Sequence, residues 1–343
     1  MPRHVNIPIF IPHLGCPNQC VFCNQRTISG VNEFKPEQID GIISDFLDAL
    51  QDEADVEIAF FGGSFTGISE ELMISLLEIA NKYIKSGRVQ SLRCSTRPDY
   101  INERVLDILE EYNLKTIELG LQSVSDKVLL SCKRGHSFSD EEKACRLIVE
   151  RGFNLVGQMM IGLPDSTKET EEATARFIAS SGAIAARIYP TVVFKDTELC
   201  NYTSQGDYIP LSVDDAVERT FAVYKILKAS GVEIIRIGLC SAENLSSEDT
   251  YYAGPNHPAI GELVENREYL DKILFLLENQ GIENGKGLIL YIYVGHGCVS
   301  KAAGHNKKNK AYIKEKFDFS DVKIIEKDSL CDFEISVRTE RKA

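Results

Sequence analysis

Three cysteines carry the most distinctive chemistry available to this sequence. The segment Gly15-Cys16-Pro17-Asn18-Gln19-Cys20-Val21-Phe22-Cys23-Asn24 is a CxxxCxxC set that directly follows the first strand-like run. Three thiolates in one short loop can wrap a single cubane [4Fe-4S] cluster, whereas a saturated cluster or a structural zinc takes four protein ligands. The missing fourth cysteine leaves one iron with an open position, where a small chelating molecule can bind and be reduced. The competing readings are a zinc ion completed by His13 or a distant cysteine, and plain buried thiols. The remaining cysteines (Cys94, Cys132, Cys145, Cys200, Cys240, Cys298 and Cys331) are scattered without paired spacing and read as ordinary buried thiols.

The elements that must position this loop alternate in type. From residue 4 to about 240, short β-branched apolar runs alternate with longer amphipathic segments, the pattern of βα units around a parallel sheet. Strands are expected at 5–11, 56–61, 91–96, 115–121, 154–161 and 184–190, with helices at 36–50, 69–85, 101–112, 140–151 and 214–229. The run 233–239 covers or extends one sheet edge. The polar stretch 241–258, with Gly254-Pro255, reads as a linker or an active-site loop. Beyond it, a helix at 260–279, a strand at 288–294, a basic helix near 306–316 and strands near 321–326 and 332–337 form a small α/β appendage. The expected division is therefore a barrel over 1–240, the linker over 241–258 and the appendage over 259–343.

Composition narrows the function classes. The 343 residues are 43% hydrophobic and 26% charged, ordinary values for a globular chain. The longest apolar runs, Ile7 to Ile11 and Leu288 to Val294, are far short of the ~20 residues of a membrane span. The N-terminus carries no secretory-signal pattern, so the expected location is cytoplasmic. A net charge of -13 opposes broad binding to phosphate backbones. A local exception is Lys301, Lys307, Lys308 and Lys310, which read either as a phosphate-binding patch or as a solvated helix start that balances Glu315.

Further motifs follow the cysteines in a fixed order. They are Phe61-Gly62-Gly63-Ser64 after the second strand, Ser95-Thr96-Arg97-Pro98-Asp99 after the third, and Gln122 at the end of the fourth with Arg134 twelve residues on. The fifth strand ends in Met159-Met160-Ile161-Gly162-Leu163-Pro164. Together they resemble the radical S-adenosylmethionine (SAM) superfamily over roughly the first 240 residues. The resemblance implies a partial (β/α)6 barrel with cluster and SAM at the carboxyl ends of the strands. It also implies that Cys16, Cys20 and Cys23 ligate the cluster and that SAM is cleaved to a radical which abstracts hydrogen from substrate.

For SAM, the resemblance points to the backbone at Phe22 near adenine, Gly62, Gly63 and Ser64 around the amino group, and Ser95 and Arg97 at ribose or carboxylate. Gln122 and Arg134 are the pair shared with oxygen-independent coproporphyrinogen oxidases. By the same resemblance, Ile161 and Gly162 would lie against adenine. Arg97 reads equally as an ion pair, and Arg187 and Arg236 either face the substrate or pair with a carboxylate. Within the superfamily the likeness is strongest to the Elongator catalytic-subunit type, which implies a one-electron donor such as ferredoxin or flavodoxin and makes tRNA a candidate substrate. The alternatives are a small-molecule oxidoreductase of the coproporphyrinogen-oxidase kind and a SAM- or tetrapyrrole-binding protein without turnover. The sequence sets no oligomeric state.

Overall fold

The computed structural model describes residues 3–11, 14, 16, 20–24, 34–50, 54–239 and 250–341; His13, Gly15, Pro17 to Gln19, Cys240 and Ser241 to Asp249 lie outside the described residues. The chain divides into two compact units. One comprises Met1–Ser212 and Ala222–Asn256, the other Val213–Phe221 and His257–Ala343.

The first unit is built on a curled parallel sheet, a partial barrel of β1 (Arg3–Phe10), β2 (Ala54–Phe61), β3 (Ser91–Thr96), β4 (Leu114–Gln122), β5 (Asn154–Ile161), β6 (Ala185–Pro190) and β8 (Glu233–Ile237), in that spatial order. The seventh strand is the run whose role stayed open in the sequence; it pairs in parallel with β6 and extends the edge. A short antiparallel pair, β7 (Val193–Phe194) with β9 (Tyr251–Ala253), lies outside the main sheet. The edge strand β1 carries Pro8 in its interior, a position that a central strand disfavours for proline because it cannot donate to a ladder.

Helices α1 (Ile39–Ala49), α2 (Glu70–Lys85), α3 (Glu103–Glu111), α4 (Asp126–Ser131), α5 (Phe138–Glu150) and α6 (Lys168–Ser180) alternate with these strands. Helix α5 starts two residues before its expected Asp140. Ser137 is the true N-cap, and Asp140 sits at the third helical position, returning a bond to the cap in a capping box. The layer between sheet and helices is apolar: Ile7, Ile58, Leu92, Cys94, Ile117, Leu119 and Ile188 are fully buried.

Alternation along each strand then places Glu57, Arg93, Glu118, Gln158 and Arg187 on the opposite, concave face. Glu118 is fully buried and accepts from Arg93 Nη1 at 2.9 Å, Arg187 Nε at 2.7 Å and Nη2 at 2.9 Å, and Gln158 Nε2 at 2.8 Å. Arg93 also pairs with Glu57 at 2.5 Å. Burial of this many charges is sustainable only because each is matched.

After α7 (Glu198–Gln205) and α8 (Val213–Ala229), the second unit contains α9 (Ile260–Asn279), β10 (Leu288–Val294), α10 (Val299–Ala303), α11 (Lys308–Lys316), β11 (Asp321–Glu326) and β12 (Ile335–Arg341). Strand β10 is central, parallel to β11 and antiparallel to β12. Its Leu290, Ile292 and Val294 pack on Tyr269, Ile273 and Leu277 of α9 and on Ile313. Strand β12 begins three residues later than expected because Phe333, at φ +61°, turns the chain before Ile335. Among the described residues no helix is long and apolar enough to cross a membrane.

Candidate active site

The cysteine loop leaves the carboxyl end of β1 and is clamped from two sides. Val21, almost fully buried, donates from its amide to Cys132 O at 3.2 Å and accepts from Leu199 N at 2.8 Å. Phe22 packs in the same apolar cluster as Val128, Leu163, Leu199 and Met160. Between them, Cys23 N donates to Cys20 O at 2.9 Å.

On the other side Ser64 N donates to Leu14 O at 3.3 Å. A Cβ on Gly63 would sit 2.3 Å from Leu14 O and 2.9 Å from Ile11 O, and Gly62 adopts φ +106°. The two glycines are thus required first by the chain's own close passage. Ser64 points its hydroxyl away from the loop, to Thr96 Oγ1 at 2.8 Å, and Thr66 joins the same hydroxyl at 2.6 Å.

Two guanidinium groups converge on Cys20. Arg134 Nη1 lies 3.2 Å from its sulfur and Arg97 Nη1 4.0 Å. Arg134 also donates to Gly120 O at 2.7 Å. Arg97 is held by Asp99 through two bonds, Nε to Oδ1 at 2.9 Å and Nη2 to Oδ2 at 3.0 Å, and also donates to Arg134 O. It is therefore an ion pair, but a buried one turned toward a cysteine. Burial pushes the Cys16 thiol up, against the pull of Arg97, Arg134 and the Ser64 amide.

Among the described residues no three His, Cys, Asp or Glu side chains gather around a single-ion position. A cubane makes no such demand, since each thiolate binds a different iron, and two adjacent cations suit an anionic cluster. The site also holds an unmet acceptor: Gln122, at φ +72°, has a buried Oε1 without a partner. Gly120 keeps the space open, because a Cβ there would lie 3.0 Å from Gln122 Nε2 and 3.5 Å from Arg134 Nη2. An unpartnered acceptor beside a cation suits the ammonium and carboxylate of an amino-acid moiety, so the residues present fit both groups. Gln122→Ala and Arg134→Ala are accordingly expected to weaken SAM binding by roughly 10- to 100-fold while iron content stays at the wild-type level. Equilibrium dialysis of reconstituted protein measures this, and unchanged affinity in both variants would remove the pair from the site.

The other residues singled out from the sequence fall into place differently. Ser95 accepts from Gln158 Nε2 at 3.3 Å, so it belongs to the concave polar face. Ile161 is fully buried on the helix-facing side of β5, shared with Gly157, whose added Cβ would strike Ile178; Met160 takes the side of Phe22. Gly162 N donates to Glu171 Oε1 at 2.6 Å, and its carbonyl accepts from Tyr208 at 2.5 Å. Arg187 faces the concave side and pairs with Glu118, whereas Arg236 donates to the carbonyls of Gly238 and Leu239 at 3.1 and 3.2 Å.

The lysine patch is largely neutralised. Lys301 pairs with Glu265 at 3.0 Å, Lys308 with Asp214 at 3.4 Å and Lys310 with Asp321 at 3.9 Å. Helix α11 starts only at Lys308, after Asn306 and Lys307 in left-handed conformations. Of the scattered cysteines, Cys94, Cys132, Cys145 and Cys298 are buried as expected, but Cys200 is half-buried and Cys331 exposed.

Sequence reasoning missed the layer behind the arginines. His136 Nδ1 lies 3.7 Å from Asp99, and its Nε2 lies 3.1 Å from Glu141 Oε1, with both side chains fully buried. Burial, reinforced by Arg134 and Arg97, pushes His136 down to about 3, and burial raises the Glu141 carboxyl well above its ordinary value. Both shifts favour the uncharged form of their group.

Each partner has its own pH window. A lowered His contributes stability that is present above about 6.5 and lost as pH falls toward 3. A raised Glu contributes stability that is present below about 4.5 and lost as pH rises. Glu141→Gln deletes only the second loss, so the variant should gain stability relative to the wild type as pH rises above about 4.5. Thermal unfolding between about pH 4.5 and 8 checks this, and parallel curves would contradict it.

Comparisons with known proteins follow the same lines. Residues 10–178 match the Radical SAM superfamily and residues 184–270 the Radical_SAM C-terminal domain. The tRNA uridine(34) acetyltransferase of Methanocaldococcus jannaschii is 26% identical over 244 residues, covering 59% of this chain and 45% of its own length. The uncharacterized protein YtqA of Bacillus subtilis is 25% identical over 288 residues, 79% of this chain and 84% of its own. The chain spans 25%, 45% and 60% of the first three curated relatives. In fold, the structure of the archaeal Methanocaldococcus infernus Elp3 with an N-terminal deletion superposes with a TM-score of 0.62 at 21% identity, covering 87% of this chain and 68% of the other.

Proposed function

The chain belongs to the radical SAM superfamily and is an enzyme, and we propose that Cys16, Cys20 and Cys23 hold a [4Fe-4S] cluster with which it modifies RNA, tRNA being the candidate substrate. When bound, the reduced cluster supplies the electron that cleaves SAM to a 5′-deoxyadenosyl radical. The chain's residues do the rest. Arg134 would clamp the SAM carboxylate, Gln122 Oε1 would accept from its ammonium, and the backbone at Phe22, Gly62 to Ser64 and Gly162 would close around the remainder. Ser95 and Arg97 are carried in the same proposal, Arg97 acting beside the cluster rather than as a free surface cation. Val21 and its apolar cluster keep water from the loop.

The observation that carries this reading is the convergence of two guanidinium groups on Cys20 beside an unpartnered buried Gln122 oxygen. The likeness to a tRNA uridine(34) acetyltransferase supports RNA as substrate. A ferredoxin or flavodoxin in the cytoplasm would supply the electron. A small-molecule oxidoreductase of the coproporphyrinogen-oxidase kind is the second reading, favoured by the carboxylate-paired lysines. The test is anaerobic reconstitution with iron, followed by SAM, dithionite and tRNA. Deoxyadenosine formation accompanied by a mass change in a tRNA nucleoside supports the first reading, and deoxyadenosine with unaltered tRNA favours the second. Stoichiometric zinc without iron, and no deoxyadenosine, would defeat both.

A further inference from the structure

The three-stranded sheet of the second unit has two unlike faces. One is sealed by helices through Leu290, Ile292, Val294 and Val322. The other carries the alternate residues, and at its centre lie Tyr291 and Tyr293 of β10, both half-buried. Two positions along a strand are ~6.7 Å apart, so the two rings form consecutive steps on one surface. Register places Lys323 and Arg338 on either side of Tyr291, and Ile325 and Ser336 on either side of Tyr293. Lys323 Nζ lies 5.3 Å from the centre of the Tyr291 ring, and Lys327 Nζ 5.8 Å from that of Tyr293.

Charge on this face is not balanced in the way the helical lysines are. Its carboxylates are occupied: Asp321 pairs with Lys310 at 3.9 Å and Glu340 with Arg338 at 3.3 Å. Lys323 and Lys327 have no carboxylate partner among the described residues, so two cations stand over two aromatic rings with their charge uncompensated. A flat face with stepped rings and flanking ammonium groups suits a ligand that is itself a chain of flat rings on an anionic backbone.

We propose that this face is a stacking platform for single-stranded RNA, with Tyr291 and Tyr293 each taking one base and Lys323 and Lys327 contacting phosphates. The inference deepens the RNA reading above, but it concerns a surface whose test requires no turnover.

The experiment uses the reconstituted 343-residue chain and a fluorescein-labelled oligouridine of about ten nucleotides, titrated by anisotropy at several salt concentrations. Tyr291→Ala and Tyr293→Ala are each expected to weaken binding roughly 5- to 150-fold, and the corresponding Phe variants, which keep the stacking surface, to restore it. Lys323→Ala with Lys327→Ala should lower the slope of log affinity against log salt by about 1.4. Wild-type binding that neither Ala variant alters would overturn the platform while leaving the RNA reading intact. Absence of oligouridine binding at low salt overturns the platform, and if tRNA is also left unmodified the RNA reading falls with it. If the tyrosine variants instead abolish a dimer seen by light scattering, the face belongs to a second copy of the chain and the proposal is wrong.

Discussion

Replacing Cys16, Cys20 or Cys23 by Ala is expected to reduce iron from about four atoms per reconstituted chain to near none and to bring deoxyadenosine formation down to the rate without protein. The expectation is severe because a three-ligand cluster has no spare protein donor, and no other described cysteine lies in the loop to replace a lost one. Cys331→Ala is the matched control: this thiol is exposed and lies in the second unit, so iron content and turnover should not change. Iron analysis and the electron paramagnetic resonance spectrum of the reduced protein read the cluster directly, separately from activity. Full iron loading in any loop variant would mean that the residue is not a ligand.

The second large effect is expected on stability. Glu118 is fully buried and bonded to Arg93, Arg187 and Gln158 at once. Glu118→Ala takes from the Arg187 guanidinium the carboxylate that accepts two of its bonds and leaves Arg93 with Glu57, and breaking such a buried network costs about 3–5 kcal/mol. In a unit of this size the melting temperature should fall by roughly 6–20 °C. Glu118→Gln, which preserves shape and two hydrogen-bond positions, should lose less. A shift below about 2 °C for the Ala variant would mean that the network is solvated and dispensable.

The parts of the site that were legible in the sequence are those encoded locally. The cysteine spacing, the turn that follows a strand, and the strand-to-helix interval between Gln122 and Arg134 are short-range patterns, and the fold brings Arg134 beside Cys20 and both Gln122 and Arg134 beside Gly120. The lysines of α10 and α11 were harder to interpret because their partners Glu265, Asp214 and Asp321 come from elsewhere in the chain. Glu118 was invisible for a related reason. In Ile117-Glu118-Leu119 it looks like the polar position of an alternating strand, and only the curled sheet brings Arg93 from the adjacent β3 and Arg187 from β6, two strands away, onto it.

The two glycines after β2 were correctly located, but their packing role came to light only with the path of Leu14 above them. His136 and Glu141 carry no motif. Their meaning comes from burial behind Arg97 and Asp99, which no spacing rule reports. Strand β12 slipped because a left-handed Phe has no signature in a sequence where Gly and Asn are the expected turn formers.

Because the partial barrel is open, β1 is an edge strand with a row of backbone donors and acceptors facing away from β2. Such a row is a template on which a second, partly folded chain can add a strand and seed an aggregate. Pro8 sits in the middle of it and removes one donor, while its ring obstructs the close approach of another backbone. The residue that looks least suited to a strand is thus the one that protects the nascent protein at the edge from which the cysteine loop departs.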